Sequence, residues 1–277
     1  MSAPALLILS AAFHALWNAT LKRSTNKLGA ALAFMIIATC LNAAFAVMTA
    51  TIPTLSTPLI GATVAAGLFE GVYFYLLNTA YASQSLGVAY TIMRGGAMLL
   101  VWLISAFILG ESIGAREILG ALTILTGIAC IQRTFHPREL LHSGAYAAYA
   151  CAACITGYHI CYGIAVRTGT APALVFATAM SVGVATYLVC GRAKALREVY
   201  ECLQRERVLI IFGGMACGLS FLLFLTALNI VEPGRAISLR NTSVVFGAAL
   251  SFLMGEQLKR IQTLGVLLVS AGVFGLL

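Results

Sequence analysis

Residues 110–127 read GESIGAREILGALTILTG, and residues 255–272 read GEQLKRIQTLGVLLVSAG. Gly110, Glu111, Gly120 and Gly127 thus recur as Gly255, Glu256, Gly265 and Gly272, 145 positions further along a chain of 277. A fixed internal period constrains the architecture before any single element is assigned. Matches continue upstream at an offset of 147, where Gly67, Gly71, Phe74, Thr79, Ala80, Gly87 and Ala89 meet Gly214, Gly218, Phe221, Thr226, Ala227, Gly234 and Ala236. Arg94 meets Arg240 after one deletion. The chain is two copies of one unit, legible over at least residues 67–127.

Hydrophobic residues make up 61% of the chain and charged residues 9%, against about 25% charged in soluble domains. That composition belongs to an integral membrane protein. An apolar run of about 20 residues crosses the hydrocarbon core as a helix, and the backbone must satisfy its own hydrogen bonds there. The runs are long and continuous, which excludes the short alternating segments of a barrel. Ten spans are expected, at 4–21, 28–50, 59–81, 87–109, 117–132, 144–166, 172–191, 208–229, 234–254 and 261–277. The longest connection, Arg192 to Arg207, has no room for a soluble domain. The first apolar stretch lacks a basic lead and carries His14, Trp17 and Asn18, so it reads as a retained helix and not a cleaved signal.

The net charge of +8 is a topology signal. Lys22, Arg23, Lys27, Arg133, Arg138, Arg192, Lys194, Arg197, Arg205, Arg207, Lys259 and Arg260 lie in alternate loops, and only Arg116 and Arg167 lie in the others. Short basic loops stay cytoplasmic, so both termini are expected on the non-cytoplasmic side. Nothing supports a nucleic-acid partner. With five helices per copy, the second enters the membrane from the opposite face, giving a first repeat at 1–135 and an inverted second at 144–277. Glu111 then lies outside and Glu256 inside. Inverted repeats are the architecture of secondary transporters, with substrate held near the midplane between the halves.

With its paired Gly-Glu signatures and trailing glycines, its Trp17-Asn18 pair and its two five-helix halves, the chain resembles the drug/metabolite transporter superfamily, in particular the ten-helix EamA-type bacterial metabolite exporters. The resemblance implies an all-α membrane fold of ten transmembrane helices, location in the bacterial inner membrane, alternating access, and export of amino acids or other small metabolites. It departs from the small four-helix drug exporters, whose functional carboxylate lies in the first helix, where this chain offers His14 and no acid.

Ionisable groups at membrane depth are costly and point to function. Glu70 is the acid well inside a span, and Phe74, Leu77 and Tyr81 share its helical face. Such a face can bind an ammonium by charge and cation–π contact, serve as a proton site, or merely pair with Arg94 or hydrogen-bond a neighbouring helix. Arg94 and Arg240 each lie roughly 10 Å below a surface, placed by inversion as opposed gates or alternate ligands for an anionic group. Arg235 reads as an interfacial anchor beside Glu232. His14, Trp17 and Asn18 form a polar stripe, and Tyr158, His159 and Tyr162 stand at similar depth in the sixth span; the two sets are candidates to line opposite walls of one substrate cavity, or else serve interhelical hydrogen bonding and aromatic packing. The pairs Gly67/Gly71 and Gly214/Gly218 read as close-packing faces. Glu111 and Glu256 are assigned to gating or structure, capping the helix that follows each.

The leading expectation is a secondary transporter, an exporter of a small polar and zwitterionic metabolite, whose ammonium meets Glu70 and whose acid meets Arg94 or Arg240. An organic-cation or drug carrier using Glu70 is the alternative. Protons are the candidate coupling partner, the lipid bilayer is the surroundings, and no cofactor is expected. An intramembrane enzyme is disfavoured: there is no aspartate, no H-E-x-x-H and no nucleophile motif around Ser220 or Ser251. Cys151, Cys154, His159 and Cys161 mimic metal-ligand spacing, but cysteine on an apolar helix packs as a small hydrophobe, and no metal is expected.

Overall fold

The computed structural model describes residues 2–49, 56–107, 114–132, 145–231, 233–256 and 258–275. Ten helices account for nearly all of them, with no strand among the described residues. They are α1 Ala3–Arg23, α2 Lys27–Met48, α3 Thr57–Ser83, α4 Leu86–Phe107, α5 Ala115–Gln132, α6 Ala145–Val166, α7 Pro172–Leu228, α8 Pro233–Arg240, α9 Ser243–Leu253 and α10 Arg260–Gly275. Seven stretches of them are long and apolar enough to cross a membrane. Local chemistry sets several starts. Proline, whose missing N–H costs nothing in a first turn, opens α1, α3, α7 and α8. The Asn26 side chain caps α2 by accepting from Gly29 at 3.1 Å, and Ser56 caps α3 by accepting from Leu59 at 3.3 Å.

Ten helices were expected and ten occur among the described residues, but three of the expected spans differ. The expected loop 192–207 is helical, so the spans 172–191 and 208–229 form one run, α7. Its connecting segment is rich in Ala, Leu, Arg and Glu, which favour helix, and carries Lys194–Glu198 and Arg197–Glu201 ion pairs one turn apart, each at 3.5 Å. The run doubles back on itself. Phe176 and Phe221 stack with ring centroids 4.8 Å apart, whereas a straight helix would separate them by about 70 Å.

The expected span 234–254 is instead broken at Asn241-Thr242 into α8 and α9. The N–H groups of Val244 and Val245 bond three residues back, to Asn241 and Thr242, both at 3.0 Å. The Thr242 hydroxyl donates to the Leu239 carbonyl at 2.7 Å, a local bond of the kind that competes with the helical ladder. The Arg240 carbonyl thereby leaves the ladder.

The repeated glycines meet one another across the halves. A Cβ on Gly127 would stand 2.7 Å from the Gly265 carbonyl oxygen, one on Gly265 2.6 Å from that of Gly127, and one on Gly272 2.7 Å from that of Gly120. The order of contact reverses along the two helices, so α5 and its repeat equivalent α10 run antiparallel, with the reciprocal pairing of a two-fold interface. The other glycine pairs pack as equivalents too. Gly67 and Gly71 lie against Val182 and Thr186 in the first span of α7, while Gly214 and Gly218 in its second span lie against Ile37 and Ala38 of α2. Small residues let these backbones approach closely, as read from the sequence. The junction between halves, 133–144, lies outside the described residues, as do Glu111 and Glu232; of the Arg235 side chain nothing is described.

Candidate functional site

The polar core is assembled from α1, α3, α4, α6, α7 and the break between α8 and α9. His14, Glu70 and Arg240 are wholly buried, and Arg94 and His159 are 1% exposed. Arg240 is the centre. Its Nη1 lies 3.1 Å from His159 Nε2, its Nη2 3.2 Å from His14 Nδ1, and Nη2 also donates to Ser220 Oγ at 3.4 Å. A guanidinium only donates, so His14 Nδ1 and His159 Nε2 act as acceptors and each imidazole carries its proton on the other nitrogen. Trp17 Nε1–H donates to the same His14 Nδ1 at 3.3 Å. The guanidinium carbon sits 4.4 Å from the Phe221 ring centroid and 4.1 Å from that of Phe224, a cation–π arrangement in a dry setting.

Arg94 reaches the same place from α4. Its Nε donates to Ser243 Oγ at 3.1 Å, and its Nη2 to the Arg240 carbonyl freed by the helix break, at 3.4 Å. Glu70 stands on the far side of an aromatic partition. Its Oε2 accepts from the Tyr162 hydroxyl at 2.7 Å, and the Tyr162 ring lies 6.2 Å from Phe221, over which Arg240 sits. Of the two structural partners considered from the sequence for Glu70, the pairing with Arg94 does not occur and the hydrogen bond to a neighbouring helix does, from Tyr162 of α6. Among the described residues, ion pairs occur only in the connecting segment of α7.

The remaining sequence candidates form the wall toward the Lys22 end of α1. Trp17 stacks on Phe74 at 5.2 Å. Asn18 accepts from the Tyr81 hydroxyl at 2.6 Å and donates to the His14 carbonyl at 2.8 Å, so Asn18 and Tyr81 fix the α1–α3 contact and hold His14 in place. Tyr158 packs between His159, at 4.6 Å, and Phe221, at 5.9 Å. Cys151 points at the Tyr73 carbonyl, and His159 is committed to Arg240.

Glu256 lies away from this core. It does not cap the helix that follows it, as expected; its carboxylate accepts the Leu86 and Gly87 N–H groups at 2.8 and 3.2 Å and the Ser251 hydroxyl, so it caps α4 in the other half. Opposite it, Lys22 Nζ donates to the carbonyls of Tyr81 and Gln84 at 2.7 and 2.5 Å. The α3–α4 turn is thus pinned on both sides, each charge placed against the helix end of opposite polarity.

Sequence reasoning missed Ser220, Ser243, Phe221 and Phe224 as parts of the site. Phe221 was visible as the repeat partner of Phe74; the two serines carried no signal that separated them from other small residues in the bundle. Several buried polar atoms have no partner: Arg240 Nε, Arg94 Nη1, His14 Nε2, His159 Nδ1, Glu70 Oε1 and the Tyr158 hydroxyl. Unmet buried polar atoms are costly, and here they mix donors beside two guanidinia with a free carboxylate oxygen beyond an aromatic partition. That is chemistry suited to a small ligand with an acidic end and a basic end.

Residues 142–277 match the model of the EamA-like transporter family. A solved crystal structure superposes with a TM-score of 0.62 at 18% sequence identity, over 99% of this chain and 95% of that one, a likeness of fold. No curated protein matches the chain.

Proposed function

From the premise that residues 142–277 belong to the EamA-like transporter family, we propose that the chain exports a small zwitterionic, amino-acid-like metabolite across the bacterial inner membrane by alternating access. The observation that carries this is the separation of Glu70 from Arg240 by the Tyr162–Phe221 pair, each ionisable group buried and neither paired with the other. A buried ionisable group without a charged partner is retained at substantial cost. A ligand with an ammonium at Glu70 and a carboxylate or similar acid at Arg240 and Arg94 would relieve both. Two inverted repeats, 1–135 and 144–277, would expose this centre to each side in turn, with the basic loops and pinned α3–α4 turn inside and the termini outside. Protons are the candidate coupling partner, with Glu70 the group to carry them. The organic-cation reading has less support, since two guanidinia and no second acid share the core.

A thermal-shift screen over amino acids, phosphonates and quaternary amines tests the class. A bound ligand stabilises the folded state by mass action, so amino acids or phosphonates should raise the melting temperature; a response to quaternary amines alone would contradict the reading.

A further inference from the structure

The two histidines that bracket Arg240 are themselves repeat equivalents: 145 positions separate His14 from His159, the offset that joins Glu111 to Glu256. The same offset joins Trp17 to Tyr162, and Phe74 pairs with Phe221. The structure respects this correspondence, since Trp17 lies against Phe74 and Tyr162 against Phe221. Exchange of the two halves therefore maps the histidine pair onto itself. It maps Arg240 onto Arg94.

The arginines nevertheless occupy different settings. Arg240 takes both histidines and ends a helix; Arg94 takes neither and lies within the unbroken α4, Leu86–Phe107. Asn241-Thr242, where the second half is broken, corresponds at the same step to Gly95-Gly96 directly after Arg94. Glycine has among the weakest helix propensities of any residue. One half thus shows the break realised, and the other carries the residues that permit it. The buried Nη1 of Arg94 and the outer nitrogens of both histidines have no partner, so an alternative set of bonds is available to them.

We infer that Arg94 and Arg240 exchange places between His14 and His159 when the opening changes sides, and that the helix break travels with them. In the opposite state α4 breaks at Gly95-Gly96, the Arg94 guanidinium takes the two imidazoles and lies over Phe74, and α8 joins α9. Arg240 then lies within an unbroken helix and bonds as Arg94 does now. The two histidines are a fixed station at the axis between the halves, holding one guanidinium at a time. This rests on the alternating-access reading above.

Hydrogen–deuterium exchange of the full chain in lipid nanodiscs tests it, with wild type compared with Gly96→Ala and with the pair Asn241→Ala, Thr242→Ala. Gly96 is chosen because its nearest neighbour for an added Cβ is Ala152 Cβ at 3.1 Å, whereas a Cβ on Gly95 would meet Val269 at 2.5 Å. Healing the α8–α9 break should slow exchange at 241–245 and speed it at 95–98, and Gly96→Ala should do the reverse. Each change is expected at about fivefold, the factor that the propensity difference carries. The inference is overturned if either variant alters its own segment and leaves the distant one within about twofold of wild type; should one variant fail to fold, the other decides. Parallel efflux assays separate the two readings. Reciprocal exchange without transport of any amino acid or phosphonate contradicts the proposed substrate alone, and transport without reciprocity contradicts the arginine exchange alone.

Discussion

Gly265 lies so close beneath the carbonyl of Gly127 that an added Cβ would stand 2.6 Å from the oxygen, and Gly127 meets the Gly265 carbonyl in the same way at 2.7 Å. Neither backbone can withdraw without separating α5 from α10. Gly265→Ala and Gly127→Ala should each destabilise the protein by about 1–3 kcal/mol, the range for overpacking a well-filled contact, read as a drop in thermal or chemical unfolding midpoint. Gly61→Ala, where an added Cβ meets nothing within 4 Å, should be neutral or slightly stabilising. Equal effects at the three positions would contradict the reciprocal glycine interface.

Glu256 binds the free N–H groups at the start of α4 from the opposite half. Glu256→Ala should cost about 1 kcal/mol, as loss of a helix cap does, and raise exchange of the Leu86 and Gly87 amides about fivefold. Glu256→Gln keeps an acceptor and should lose less. Unchanged amide protection in Glu256→Ala would show that the pinned turn does not depend on this carboxylate.

Tyr162→Phe removes the donor to Glu70 and adds no bulk. Burying a carboxylate oxygen without its hydrogen bond costs about 1–3 kcal/mol, so the variant should melt earlier than wild type. Tyr162→Phe combined with Glu70→Leu should recover part of that loss, because no buried polar oxygen is then left without its donor. Absence of any recovery would mean that the hydroxyl and the carboxylate act independently.

Arg240→Lys retains the charge and loses the fork. One ammonium cannot span His14 and His159, which the guanidinium contacts with two nitrogens at 3.2 and 3.1 Å, and it lacks the planar stacking surface set against Phe221 and Phe224. Ligand affinity in a thermal-shift titration should fall at least about tenfold. Wild-type affinity in Arg240→Lys would mean that charge alone is read at this position.

The repeat was legible because glycine at a crossing has a geometric consequence: Gly120 and Gly127 face Gly272 and Gly265, and no larger residue would serve. The residues of the core were legible because each is an expensive group in an apolar helix. Their partners were not, since Glu70 could equally have met Arg94, and only tertiary placement gives it Tyr162. The fused α7 was hidden because the charges of residues 192–207 that mark a loop between spans also build a helix through pairs one turn apart. The break after Arg240 was hidden for the converse reason. Arg240, Asn241, Thr242 and Ser243 form a short polar stretch ahead of a strongly apolar run, and hydropathy averages over them.

The most direct measurement is efflux of labelled amino acids from proteoliposomes containing the wild-type chain, Glu70→Gln or Arg240→Lys, with folding of each variant verified by its melting curve. The wild type should release at least one zwitterionic substrate well above protein-free liposomes, and each variant should lose about tenfold or more of that rate. Wild-type efflux by both folded variants would contradict the assignment of the buried carboxylate and guanidinium as the two ends of the substrate site.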